Sequence, residues 1–257
     1  MITLEVRATT PLSPHFTRIT LGGPDLALLE HSGNDQGVRL FFPREGQETL
    51  RMPSVSNNAW MAELLLLPKS RRPWVRNYTV RRLRPQQCEL DIEFALHGAA
   101  GPASAWAARA KPGDPAGIFD LGTMYLPPPH ATWQLLVGEE SAVPAILSIL
   151  DDAPDSLVAE VFLEVPETAD IREDVNCPEG VRIHWLARDG DGSVPGTRAL
   201  AAVKAADLPT GRPFYTWAAG EAALPTGIRR HLVREHQVPK SDIAFIGYWR
   251  HGRPSPG

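Results

Sequence analysis

Polar and apolar residues alternate along Thr17-Arg18-Ile19-Thr20-Leu21 and again along Glu89-Leu90-Asp91-Ile92-Glu93-Phe94. A period of two sends successive side chains to opposite faces of a strand, so both stretches read as antiparallel strands with one wet face. They belong to longer β-type runs at His15 to Leu21 and Cys88 to Leu96, and four more share the first half: Ile2 to Thr9, Val38 to Phe42, Val75 to Arg82 and Ala116 to Phe119. Many short strands separated by Pro and Gly predict a closed barrel or a sandwich. Between the third and fourth runs, Pro43 to Arg72 is too long for a hairpin turn. Asn57 to Leu64 has room for a short helix, and excursions of this length in compact domains are often functional or mobile.

After the fifth run an Ala-rich helical pattern spans Ser104 to Ala110 and is ended by Pro112-Gly113. Pro127-Pro128-Pro129 then stiffens the chain and withholds backbone donors, as a linker does, which places two domains at residues 1–127 and 128–257. Beyond it the rhythm changes. Strands are expected at Thr132 to Val137, Leu157 to Val165, Val181 to Leu186, Phe214 to Ala218 and Asp242 to Tyr248. Helices are expected from the turn Gly138-Glu139-Glu140-Ser141 through Leu150, at Thr197 to Ala206 and at Glu221 to His236. Alternating strands and helices predict an α/β domain with a parallel sheet covered on both faces. Open sheets of this kind bind ligands at the carboxyl ends of their strands. Gly138 to Ser141 and Ala219-Gly220-Glu221 fall at such ends, where a nicotinamide nucleotide is the natural occupant.

Composition narrows the function classes. A chain of 257 residues with a net charge of -4 has no general attraction to nucleic acid, so any basic site must be local. Met1 to Thr20 lacks the apolar core of a secretory signal. The longest leucine tract, Leu64-Leu65-Leu66-Leu67, is stopped by Pro68 and reads as a buried or interface segment, not as a membrane span. Cys88 and Cys177 lie far apart without ligand-spaced neighbours, consistent with two structural thiols in a reducing cytoplasm.

The stretch Arg76-Asn77-Tyr78-Thr79-Val80-Arg81 carries the first candidate chemistry. In an extended chain Arg76 and Tyr78 share one face and Asn77 and Thr79 the other. A guanidinium beside a ring suits a phosphate next to a flat heterocycle; taken alone, the same residues also suit an exposed cationic strand with one packed Tyr. Downstream, Gly101-Pro102-Ala103-Ser104 begins a helix, where Pro suits the first turn and the N–H groups with Ser104 form an anion cradle. An ordinary capped helix is the alternative there.

These motifs, with His97-Gly98, Gly101-Pro102-Ala103-Ser104-Ala105-Trp106-Ala107, Trp217-Ala218-Ala219-Gly220-Glu221 and Gly247-Tyr248-Trp249-Arg250, occur in an order that resembles the siderophore-interacting protein family. That family comprises FAD-dependent ferric-siderophore reductases of the ferredoxin reductase superfamily. The resemblance implies a six-stranded antiparallel β-barrel that binds FAD, followed by an α/β domain that binds NADH or NADPH. It implies flavin contacts from Arg76, Tyr78, Thr79, Val80, His97, Gly98, Gly101, Ala103, Ser104 and Trp106. It implies NAD(P)H contacts from Gly138, Glu139, Glu140, Ser141, Trp217, Ala219, Gly220 and Glu221. Where the family usually has Gly-Asp-Glu-Thr, this chain has Gly138-Glu139-Glu140-Ser141. Read singly, Trp217 also suits a core aromatic, and Glu221 a helix N-terminal acid.

The implied activity is transfer of electrons from NAD(P)H through FAD to Fe(III) in a bound siderophore, with Fe(II) released, no catalytic side chain and no protein-bound metal. Arg39 and Arg250 fall where the family presents basic residues to its anionic substrate; each also suits a solvated surface charge. A third basic residue, found in many relatives near Asp120-Leu121-Gly122-Thr123, is missing here, which weighs against a catecholate substrate. The protein is expected to be a cytoplasmic monomer without nucleic-acid partners or membrane insertion. Rival readings are a flavin reductase of another acceptor and a siderophore-binding module without turnover.

Three other patterns fail on spacing. Gly190-Asp191-Gly192 with Gly196 is one residue too long for a dinucleotide fingerprint and has two acids, Asp189 and Asp191, where a pyrophosphate would lie, so a turn is expected. His231 and His236 sit five residues apart, roughly 140° around a helix at about 100° per residue, which argues against a zinc site. No G-x-S-x-G elbow is present.

Overall fold

The computed structural model describes residues 1–55, 59–96, 101–209 and 212–253. The chain divides into two compact units. The first takes Met1–Ser32 and Gln36–Thr123; the second takes Gly33–Asp35 and the chain from Met124 onward.

The first unit is one antiparallel sheet of β1 (Ile2–Ser13), β2 (Phe16–Gly22), β3 (Gly37–Phe42), β4 (Trp74–Thr79), β5 (Arg82–Arg84), β6 (Glu89–Ala95) and β7 (Pro115–Gly122), in the order β4-β3-β7-β1-β2-β6-β5. The two edge strands, β4 and β5, are joined by only Val80 and Arg81, so the sheet must curl until its edges approach. Seven strands replace the expected six because the run Val75 to Arg82 changes partner midway. Val80 N–H donates to the Gln36 carbonyl next to β3, and Arg81 N–H donates to the Asp91 carbonyl of β6. The period-two pattern fills the interior with Ile19, Leu21, Val38, Leu40, Leu90, Ile92 and Phe94. Two helices accompany the sheet: α1 (Trp60–Leu66) and α2 (Pro102–Arg109). Trp106 and Ala107 of α2 join the interior cluster. On the other face of β3, Phe41 meets Trp60 and Leu64 of α1.

The outer face of the alternating strands is less wet than expected. Register sets Arg18 opposite Glu93 and Thr20 opposite Asp91, and both acids are buried beneath their partners. Arg18 Nη2 lies 2.7 Å from Glu93 Oε1, while Arg84 reaches Asp91 through two bonds of 2.6 and 2.8 Å.

The second unit holds a parallel sheet of β8 (Gln134–Gly138), β9 (Ala159–Val165), β10 (Val181–Ala187), β11 (Tyr215–Glu221) and β12 (Ile243–Trp249), in the order β10-β9-β8-β11-β12. The helices are α3 (Val143–Asp151), α4 (Thr197–Ala205) and α5 (Ala223–Glu235). Leu135 and Val137 of β8 pack in one cluster with Ala199 and Val203 of α4 and Leu224, Ile228 and Leu232 of α5. A Cβ added to Gly138 would meet Ala142 at 2.7 Å and Ile146 at 3.0 Å, so α3 lies on the opposite face. The chain builds outward from β8 to β10, then returns to place β11 on the other side of β8. The ends of β8 and β11 therefore flank a topological switch point, where open sheets of this type form their ligand crevice.

Candidate functional site

In the barrel unit, β3 and β4 pair with Val38 opposite Tyr78 and Leu40 opposite Arg76. Opposed residues of an antiparallel pair share a face. Arg76 and Tyr78 therefore share the face of the buried Val38 and Leu40, whereas Arg39 and Asn77 belong to the face covered by α1. The Tyr78 ring lies 4.3 Å from Phe94, which in turn lies 5.8 Å from Trp106. Burial raises the Tyr78 hydroxyl above its ordinary pKa, with Arg76 opposing, so the phenol stays neutral. Arg76 is half-buried; its Nη1 donates to the Val75 carbonyl at 2.7 Å and its guanidinium lies 5.4 Å from the Trp74 ring. Burial lowers its pKa without threatening a charge that guanidinium keeps at neutral pH.

The start of α2 comes to the same place. Ser104 is buried and its hydroxyl donates to the carbonyl of Ala95, the residue after Phe94, at 3.5 Å. Gly101 is extended at the N-cap, and among the described residues a Cβ there would meet Ser104 Oγ at an ordinary 3.8 Å. Thr79, Val80 and Ala103 are buried supports. Trp106 sits inside the barrel between Phe42 and Phe94, only 1% exposed, and packs against both rings. His97 and Gly98 lie outside the described residues. A guanidinium and an aromatic ring on one strand face, beside the first turn of a helix, fit the diphosphate and ring system of a flavin dinucleotide.

In the second unit the loops at the switch point are joined by one carboxylate. Glu139 has no exposed surface. Its Oε1 accepts the Glu221 N–H at 3.0 Å, the Trp249 indole N–H at 2.9 Å and the Ser141 hydroxyl, and its Oε2 accepts the Ser141 N–H at 3.0 Å. Burial, and then the charge of Glu140, push the Glu139 carboxyl up to about 8 against these donors. Gly220 has φ of 132° and lies so close that an added Cβ would come within 2.6 Å of Glu139 Oε1. Glu140 is held by Arg188 at 2.7 Å to each oxygen, and Arg188 also reaches Glu164 at 2.8 Å. Glu221 accepts the Ala223 N–H at 2.6 Å and the His251 N–H at 3.1 Å.

This arrangement brings Gly138, Glu139, Ser141, Gly220 and Glu221 together at the ends of β8 and β11. Of the eight residues expected to touch a nicotinamide nucleotide, Ser141 is half-buried and the other seven are buried, Trp217 and Ala219 with no exposed surface. Helices cover the sheet on both faces, α4 and α5 on one and α3 on the other, and so bury the side chains of the central strand β11. Trp217 donates its indole N–H to Asp35 Oδ2 at 2.9 Å. Asp35 also accepts the N–H groups of Met124 and Tyr125, at 3.0 and 2.9 Å. Sequence reasoning missed Asp35, and nothing local marks it.

Arg39 is half-buried in β3 with its guanidinium 4.8 Å from the Trp60 ring, and Arg250 is exposed just past β12. At the position of the missing third basic residue, Asp120 accepts the Gln36 amide at 3.0 Å and the Gly122 N–H at 3.1 Å. The rings of His231 and His236 lie 5.0 Å apart, nearer than a separation of roughly 140° around one helix would place them. The helix ends at Glu235, and His236 leaves the 100° progression with φ of −111°. Among the described residues, no group of three or more metal-ligating side chains forms. The turn at Gly190 to Gly196 is a turn, with Asp191 accepting from Ser193 N–H and Arg198.

Comparison with known proteins agrees with this layout. A family model described as Siderophore-interacting FAD-binding domain matches residues 5–123, and one described as Siderophore-interacting protein matches residues 131–252. The Ferric vibriobactin reductase ViuB of Vibrio cholerae is 33% identical over 247 residues, covering 94% of this chain and 86% of its own. The chain belongs to the siderophore-interacting protein family. Among solved structures, a siderophore utilization protein from T. fusca has a TM-score of 0.83 at 32% identity, covering 99% of this chain and 94% of its own. The siderophore-interacting protein SipS from Aeromonas hydrophila has a TM-score of 0.78 at 31% identity, covering 98% and 92%. The fold extends beyond the siderophore-interacting proteins. The ferredoxin reductase of carbazole 1,9a-dioxygenase has a TM-score of 0.68 at 15% identity, covering 96% of this chain and 69% of its own.

Proposed function

We propose that this protein is an NAD(P)H-dependent flavoprotein that reduces Fe(III) in a bound siderophore and thereby releases Fe(II). The observation that carries the reading is the convergence of the Arg76-Tyr78 strand face and the start of α2 on Phe94-Ala95 within a siderophore-interacting FAD-binding domain. The kinship with a protein named for ferric vibriobactin reduction supports the substrate class.

FAD, when bound, supplies the conversion from the electron pair of a reduced nicotinamide to the single electrons that Fe(III) accepts. The chain's own part is positioning. Arg76 offers paired donors to the diphosphate, the first turn of α2 presents its N–H groups to the same charge, and the neutral Tyr78 ring supplies an apolar face. In the second unit Glu139 fixes the loops after β8 and β11, leaving Ser141 and the loop backbone as the surface offered to the donor nucleotide. Arg39 and Arg250 are the cationic groups proposed for an anionic ferric chelate. Reduction to Fe(II), a softer ion of lower charge, weakens its hold on hard oxygen ligands, so iron leaves the chelator.

The test is the visible spectrum of purified protein before and after anaerobic NADH or NADPH, followed by a ferric siderophore and a ferrous-iron trap. A yellow protein bleached by either nucleotide and reoxidised by the siderophore, with trapped Fe(II), is expected. A colourless protein, or a yellow one that neither nucleotide bleaches, would sink the proposal. Arg250→Glu should slow reduction of an anionic ferric chelate by about tenfold or more while an uncharged quinone is reduced as before. Equal rates on the chelate would remove Arg250 from the substrate site.

A further inference from the structure

Helix α1 covers β3 with Trp60 and Leu64, both 7% exposed, and turns Met61, Ala62, Leu65 and Leu66 to solvent. Met61 is 53% exposed, Leu65 56% and Leu66 86%. At about 100° per residue these four positions cover roughly 140° of the helix. An outward helix face normally carries polar residues, and here none is present. The acid on this helix, Glu63, turns away to Ser54, accepting its N–H at 2.8 Å and its hydroxyl at 2.9 Å. Half-buried Leu50, Met52, Val55 and Leu67 pack around the same helix and widen the apolar surface.

Directly after α1 come Lys69 and Arg71, both exposed. Arg72 is used internally, donating its Nε to the Leu67 carbonyl at 2.7 Å and its Nη2 to Leu65. The neighbouring turn, tied to Ser70 and Arg72 through Gln47, carries the exposed Glu45 and Glu48. Over Pro43 to Arg72 the balance is five basic residues against three acidic, in a chain that is acidic as a whole. Apolar side chains at a helix surface with a cationic edge are the composition of an interfacial element: the apolar groups enter the acyl boundary and the ammonium and guanidinium groups meet lipid phosphates.

We propose that α1 is a docking element by which this protein binds reversibly to an anionic phospholipid surface. Met61, Leu65 and Leu66 enter the headgroup boundary, and Lys69 and Arg71 give the preference for anionic lipid. The face is too short to span a bilayer, and among the described residues no helix is long and apolar enough to do so. A second copy of the chain is the poorer occupant. Met61, Ala62, Leu65 and Leu66 together fall well short of the roughly 800 Å² per partner of a stable interface.

The experiment is co-sedimentation of the full chain with vesicles of phosphatidylcholine alone and of phosphatidylcholine mixed with phosphatidylglycerol, at low and high salt. Binding to the mixed vesicles is expected to exceed binding to the neutral ones by about tenfold at low salt and to fall as salt rises. The double variant Leu65→Ser with Leu66→Ser should melt like the parent and lose about tenfold or more of that binding. Lys69→Glu with Arg71→Glu should abolish the preference for the anionic vesicles. No binding to the mixed vesicles overturns the proposal, as does undiminished binding by the natively melting leucine double variant. A dimer in sedimentation equilibrium that Leu66→Ser dissolves overturns it in favour of self-association.

Discussion

Glu139 shows how one side chain can hold a loop cluster while having no surface of its own. Its raised pKa has a stability consequence with a definite sign. From its usual 4.5, the carboxyl rises to about 8 in the folded chain, so between those values the folded state binds a proton that the unfolded state has released. Its contribution is therefore complete below pH 4.5 and is lost as pH rises toward 8. Denaturant titration at intermediate pH and near pH 8 should show this decline in the parent and a flatter dependence in Glu139→Gln, although the variant is less stable throughout. An unchanged slope would show that Glu139 titrates alike in both states. Beside it, Gly220→Ala should cost about 1–3 kcal/mol, because a side chain at φ of 132° is strained and its Cβ meets Glu139. At position 76, Arg76→Ala should weaken flavin retention by about tenfold or more, with Arg76→Lys intermediate because an ammonium cannot form the paired contact. Fluorescence titration of the apoprotein measures both.

At the scale of elements, the barrel's outer face around β2, β5 and β6 is stitched by charge. Burial alone would raise the Asp91 carboxyl, but hydrogen bonds from Arg84 and Thr20 outweigh it and hold the group below its ordinary 3.8. A carboxylate depressed in this way stabilises the fold above that value and loses its contribution as pH falls through the folded pKa. Asp91→Ala leaves Arg84 and Thr20 without their shared acceptor and should cost about 3 kcal/mol. Thermal melts should separate variant from parent widely at neutral pH and less in acid. The alternation in the sequence predicted the strands and their apolar face correctly. It gave the outer face as wet because periodicity describes each strand alone, whereas the burial of Asp91 and Glu93 arises from arginines on neighbouring strands. Likewise the pattern marked Val75 to Arg82 as one β run, since nothing local announces that Arg81 begins pairing with β6.

On the scale of the whole molecule, the second unit is not a contiguous stretch: it takes Gly33–Asp35 from the first half of the chain. Asp35 accepts three donors there, among them Trp217, which lies 182 residues away. Asp35→Ala should therefore destabilise the α/β unit by about 3 kcal/mol, because three donors, two of them buried, lose their acceptor. Hydrogen exchange of Met124 and Tyr125 should rise with it, and protection equal to the parent's would show the bonds to be dispensable. The order of the main elements, the change of rhythm between the two halves, the parallel sheet with its switch-point loops and the family motifs were determined by the sequence, because turn residues and hydrophobic period act over a few neighbours. Tertiary structure alone decided that Trp217, Glu139 and Glu221 face inward and that Asp35 holds Trp217. It also left the outer side of α1 uncovered, although a leucine run reads the same whether it is buried or bare. Burial is a property of what other segments bring to a residue, and neither strand position within a sheet nor a partner far along the chain is written in a local pattern.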